Sequence, residues 1–248
     1  MTWLTILFGV FMKFEYKLSQ VHPRIFVLEL DSDYDLGMTF LRAQEFYESV
    51  NDQFRGKTFS LLSYMNWYAS CCSKDKDFTY TTDFRGYNVP STTIEQCYAI
   101  NTERTPYDKF FLGIHEAIIS LGVPRFEYYL LGAPHADAEV LEHEFAHALF
   151  FIDDKYREAM TRLVSLLPFQ AELFTFLETK LEYAKNVHVD EAQAYMATGF
   201  TDDFEDKVKE YEPFTEPFKQ VFNEWHAEIL PPVTLVHRTV DLFDTKHI

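Results

Sequence analysis

Leu141-Glu142-His143-Glu144-Phe145-Ala146-His147-Ala148-Leu149-Phe150 is the stretch on which the reading of this chain turns. It sets the pattern H-E-x-x-H inside an apolar helical repeat. A helix advances about 100° per residue, so His143 and His147 stand one turn apart on one face and can aim two imidazoles at a single ion. Glu144 lies beside them. It places a carboxylate next to any water that completes the ion's coordination, which is where hydrolysis needs a general base. Leu141, Phe145, Ala148, Leu149 and Ile152 recur at helical spacing and predict a buried opposite side.

A third ligand is sought downstream, and His188-Val189-Asp190-Glu191-Ala192-Gln193-Ala194-Tyr195 offers one. The segment reads as the start of a helix, with small Ala192 and Ala194 admitting a close neighbour. Glu191 is the expected third ligand. Asp190 and Glu191 would also favour a helix N-terminus without any metal, because acidic groups complement the helix dipole there.

Residues 142–150 and 190–195 make the chain resemble the gluzincin branch of the zincin metallopeptidases, in which a Glu on a second helix joins the two His and leaves the fourth position to water. The resemblance implies an α+β, helix-rich zincin-like fold with a small mixed β-sheet. It also implies one Zn2+ per chain held by His143, His147 and Glu191, with Glu144 as the catalytic base and proton shuttle of a peptidase acting on a peptide or protein. Two departures stand out. The thermolysin-like pattern has an Asp four residues after the ligand Glu, where this chain has Tyr195, so the usual partner of a ligating His is missing or replaced. Asp190 is an alternative ligand, and Asp190 and Tyr195 are candidates for a supporting contact or an oxyanion donor, as are His226, His237 and Tyr211. The metzincin extension is absent, because Asp153 and Asp154 follow the motif. In zincins a strand along the cleft can pair with an extended peptide. Segments 126–131 and 78–81 are the expected candidates.

Composition narrows the classes further. The chain has 248 residues, 47% of them hydrophobic, with 25 Phe and 15 Tyr against 8 Gly. This predicts a substantial aromatic core with few tight turns. A net charge of −17 argues against nucleic acid as a partner, since phosphate binding needs clustered Lys and Arg. Cys71, Cys72 and Cys97 form neither a disulfide framework nor a C-x-x-C pair, which points to a cytoplasmic protein whose metal is not held by thiolates. Residues 1–12 are apolar but too short to span a bilayer and lack a basic n-region, so no membrane association is expected, and Met12 is an alternative start to Met1.

Along the chain, 24–30 reads as a buried strand and 36–50 as a helix. Gly56-Lys57-Thr58 mimics the end of a phosphate loop, but Asn51 occupies the place of its first glycine and a helix rather than a strand precedes it. Helices are expected over 59–69, 107–121, 156–166, 169–184, 202–211 and 216–230. Extended chain is expected from 78, with Gly86, Asn88 and Pro90 marking turns, then a strand over 126–131 and a last strand over 233–243. Residues 1–105 form an N-terminal α/β part on the substrate side, within the same domain as a catalytic part over 106–248. A pairing of His115 with a cysteine nucleophile lacks supporting context. Beside the peptidase stand two other readings. One is a non-catalytic binding or structural protein on the same scaffold, and the other is a metal-dependent hydrolase of a non-peptide amide or ester.

Overall fold

The computed structural model describes residues 13–134 and 138–241, so the apolar segment 1–12 lies outside the description. Lys13–His22 alternates in character, turning Tyr16 and Leu18 inward, and forms strand β1. Pro23-Arg24 reverses the chain into β2, Ile25–Leu30, which pairs antiparallel with β1. An apolar run with no polar interruption from Ile25 to Leu28 suits β2 to the middle of a sheet, because both of its faces are buried.

Helix α1, Asp33–Glu48, starts earlier than its apolar pattern suggests because Ser32 caps it and accepts from the Asp35 N–H. Three helices and a strand follow: α2 over Leu61–Cys71, α3 over Tyr80–Asp83, β3 over Tyr87–Pro90 and α4 over Ser91–Ile100. Helix α5, Pro106–Ser120, opens on a capping box between Thr105 and Asp108 with Pro106 at its first position. Strand β4, Tyr129–Pro134, then leads to helix α6, Ala138–Ile152. The remainder is helical: α7 (Asp154–Ser165), α8 (Gln170–Thr179), α9 (His188–Thr198), α10 (Val208–Tyr211) and α11 (Glu216–His226), closed by strand β5, Val233–Asp241.

The result is a mixed α+β fold around a five-stranded sheet of order β3-β4-β2-β1-β5. Among the described strands only β2 and β4 run parallel, with Ile25 opposite Tyr129 and Leu30 opposite Pro134. Three expectations are corrected here. Residues 78–81 end in the short helix α3, and 87–90, read as turns, are the edge strand. Strand β4 begins three residues later than expected and is interior, paired on both sides, so it offers no edge to a peptide. Strands from 1–105 and 106–248 lie in one sheet, which joins the two parts.

Side chains of β2 divide the core. Phe26, Leu28 and Leu30 pack with α1, α2, α4 and α5, whereas Ile25 and Val27 pack with α6, α7, α8, α9 and α11. The first layer carries much of the aromatic content. Phe40 stacks on Tyr87 at 5.6 Å and covers Gly132 of β4, where an added Cβ would lie 2.5 Å from the Phe40 ring. Arg42 is buried in the same layer, satisfied by Asp108 at 2.8 Å, Glu103 at 2.9 Å and the Phe59 carbonyl at 2.5 Å. No helix among the described residues is long and apolar enough to cross a membrane.

Candidate metal centre

Helix α6 lies on the sheet through Phe145, Ala146, Ala148, Leu149 and Ile152, the side its apolar spacing predicts. Its last carbonyls are capped from outside: Arg24 donates to Ile152 O, and Arg157 donates to Phe150 O at 2.9 Å and Phe151 O at 3.2 Å. Helix α9 packs against it, with Ala192 and Ala194 both fully buried. Gln193 fixes their register. It donates to Ala146 O at 3.2 Å and to Asp190 Oδ1 at 3.0 Å, and accepts from the Tyr156 hydroxyl at 2.9 Å. Backbone and side-chain hydrogen bonds therefore hold the two helices that carry the motifs.

This packing brings His143, His147 and Glu191 together, with one ligand atom from each within 4.8 Å of the others. The two Nε2 atoms stand 3.3 Å apart. Glu191 lies 3.7 Å from His147 Nε2 and 3.9 Å from His143 Nε2. Ligands about 2.0–2.2 Å from a tetrahedral zinc would be roughly 3.3–3.5 Å apart, so the imidazoles already have the required spacing, while Glu191 approaches them through different oxygens, Oε1 towards His147 and Oε2 towards His143, and must turn to bring one of them into place.

Hydrogen bonding at the far side of each ring sets the near side. His147 Nδ1 lies 2.9 Å from Asp190 Oδ1, and His143 Nδ1 lies 3.1 Å from Thr198 Oγ1. The Thr198 hydroxyl hydrogen is directed at Ala194 O, 2.8 Å away, so Thr198 accepts from His143. Both Nε2 atoms thus face the centre, where only a cation or a shared proton satisfies the pair. A proton is held there readily: burial would lower the His147 pKa, but the Asp190 and Glu191 carboxylates override it and raise it well above the usual value. Such a proton leaves Glu191 Oε2 buried without a partner. An ion satisfies all three residues. The donor set of two imidazoles and one carboxylate therefore fits zinc with an open position. Burial also pushes the Glu191 carboxyl up to about 8.

Glu144 is buried beside these ligands, and burial raises its pKa. Asn88 Nδ2 donates to its Oε2 at 2.8 Å, while the Tyr129 hydroxyl donates to Asn88 Oδ1 at 2.6 Å. The other oxygen faces Gly86, where an added Cβ would come within 2.0 Å of it. Edge strand β3 thus lies directly against the expected base.

Asp190 sits behind His147 rather than in the ligand group, and gives that histidine a carboxylate partner although position 195 is a tyrosine. Tyr195 packs its ring 4.7 Å from that of His143, with its hydroxyl 3.3 Å from Tyr183 Oη. Other sequence candidates lie elsewhere. His237 bonds Glu15 on the β1–β5 side of the sheet, His226 packs on Phe145 and Phe222, and Tyr211 stacks on Phe169. His115 is held by Tyr128 and by Glu95 at 2.6 Å, whereas Cys97 faces Arg42 O. Asn88, Tyr129 and Thr198 were not anticipated. Thr198 had a signal, since 191, 195 and 198 share one helical face; Asn88 had none.

Compared with family models, curated proteins and solved structures, the chain matches none. The interpretation of the site rests on its own geometry.

Proposed function

We propose that this protein is a zinc-dependent hydrolase of amide bonds, most simply a peptidase, built on a zincin-like scaffold. The observation that carries the reading is the convergence of His143, His147 and Glu191 with an unpartnered Glu191 oxygen and with Glu144 alongside. When bound, zinc would acidify a water and polarise the scissile carbonyl. Glu144 takes the water's proton and returns it to the leaving nitrogen, a role served by its burial and raised pKa. Asp190 and Thr198 orient the imidazoles, and Tyr195, whose ring packs on His143 and whose hydroxyl pairs with that of Tyr183, is the candidate donor to the developing oxyanion.

One observation favours a second reading, hydrolysis of a small non-peptide amide or ester. Glu144 and His147 are only 6% and 2% exposed, leaving little room for an extended chain. Glu144→Gln tests the shared chemistry. Metal analysis should find about one zinc per chain in both proteins, while cleavage of a peptide library read by mass spectrometry falls by about 10²- to 10⁴-fold in the variant. Undiminished cleavage, or wild-type protein that takes up no zinc, would overturn the proposal.

A further inference from the structure

Strand β3 does more than border the centre. The Asn88 side-chain amide is held at both ends: Tyr129 Oη donates to its oxygen at 2.6 Å, and its nitrogen donates to Glu144 Oε2 at 2.8 Å. A flipped amide would set its oxygen against the carboxylate and lose that bond, while the Tyr129 hydroxyl could accept from the NH2 group instead of donating, so the carboxylate decides the orientation. The main chain of the same residue is tied down too. Asn88 N–H donates to Gln44 Oε1 at 3.2 Å, and Gln44 Nε2 donates to Glu48 Oε1 at 2.6 Å. Asn88, Gln44 and Glu144 are each less than one-tenth exposed, and Tyr129 almost wholly buried, so solvent competes little for these bonds.

We propose that Asn88 is a positioning residue, which together with Tyr129 and Gln44 holds the Glu144 carboxylate in place for proton transfer. This inference rests on the hydrolase reading above and adds a role for the edge strand. Glu144 Oε2 is fixed by Asn88, and Oε1 is confined against Gly86, so the carboxylate has one orientation without help from substrate. The N–H that residue 88 would offer to an extended peptide is already bonded to Gln44. At this position the strand holds the base, not the substrate.

The test uses the zinc-loaded full chain and acetohydroxamate, a small chelator whose hydroxyl proton needs a neighbouring carboxylate. Calorimetry should show Asn88→Ala binding one zinc as wild type does but acetohydroxamate about ten- to a hundredfold more weakly, the loss expected for one buried bond to a charged group. In a Glu144→Gln background the same substitution should add almost nothing, a non-additivity that a general packing defect would not produce. Tyr129→Phe removes only the hydroxyl that holds Asn88 and should lower affinity in the same direction, which keeps the test intact if Asn88→Ala fails to fold. Unchanged acetohydroxamate affinity in Asn88→Ala, or in Tyr129→Phe where Asn88→Ala does not fold, overturns the positioning role, as does an equal loss with and without Glu144. Failure of wild type to bind zinc overturns the hydrolase reading and this role with it.

Discussion

Zinc should stabilise this protein against heat, and Glu191→Ala should abolish the effect. The spacing measured at the centre sets the expectation. His143 and His147 present Nε2 atoms already 3.3 Å apart, and the buried Glu191 carboxylate beside them has only to turn one oxygen towards the pair. Such a site exists only in the folded chain, so zinc stabilises that state according to its concentration relative to its dissociation constant. With free zinc at 100 times its dissociation constant the gain is about 2.7 kcal/mol. For a chain of this size that corresponds to a rise in Tm of about 5–10 °C. The assay is a thermal melt of chelator-treated protein with added zinc, and with added magnesium as a control that prefers six oxygen ligands. Glu191→Ala removes a carboxyl whose buried Oε2 has no partner, so the variant should melt close to the metal-free wild type and ignore zinc. Equal shifts from zinc and magnesium would refute the coordination argument. Loss of the zinc shift in Asp190→Ala but not in Glu191→Ala would show that the wrong carboxylate had been assigned.

The remaining predictions concern its surroundings. Asp190→Ala leaves His147 free to rotate and should weaken zinc about ten- to a hundredfold in a chelator competition without eliminating it. Gly86→Ala drives a methyl group towards Glu144 Oε1 and Val140 Cγ1, so zinc content should stay at wild-type level while peptide cleavage falls at least tenfold. Away from the centre, burial pushes Glu45 up to about 7 against hydrogen bonds from Tyr64 and Tyr80, compared with the usual 4.5. A carboxyl raised in the folded state favours folding in its protonated form, so this contribution is full below pH 4.5 and is lost as pH rises to about 7. Glu45→Gln should therefore gain on wild type across that window, by on the order of 3 kcal/mol at its upper end. Melting curves that stay parallel from pH 4 to 8 would contradict this.

Those residues also show what was legible beforehand. His143, Glu144 and His147 could be read directly because a helix converts a four-residue spacing into a shared face, and Glu191 followed from the local character of the second helix. Tertiary contacts escaped notice. Asn88 lies 56 residues from Glu144, and nothing in its neighbourhood announces the contact. Pro90 and Gly86 make 87–90 look like a turn, yet an edge strand tolerates proline because its outward N–H needs no ladder partner. At β1 the signal is local instead, a period-two pattern from Lys13 to Leu18 that matches a strand with one face inward. Asp190 was weighed as a ligand, when its place one residue before Glu191 turns it to the back of His147 instead.

The outermost pair of strands has a mechanical consequence. Strands β1 and β5 run antiparallel with Lys13 opposite Asp241, so the chain enters and leaves the sheet at the same end of one ladder. A pull through both ends loads that ladder as a zipper, breaking one pair at a time rather than all together in shear. The centre borne by α6 and α9 lies towards the other edge, beyond β2 and β4. In an optical trap β5 should peel away at low force, leaving the zinc-bound remainder to rupture in a separate, higher-force event.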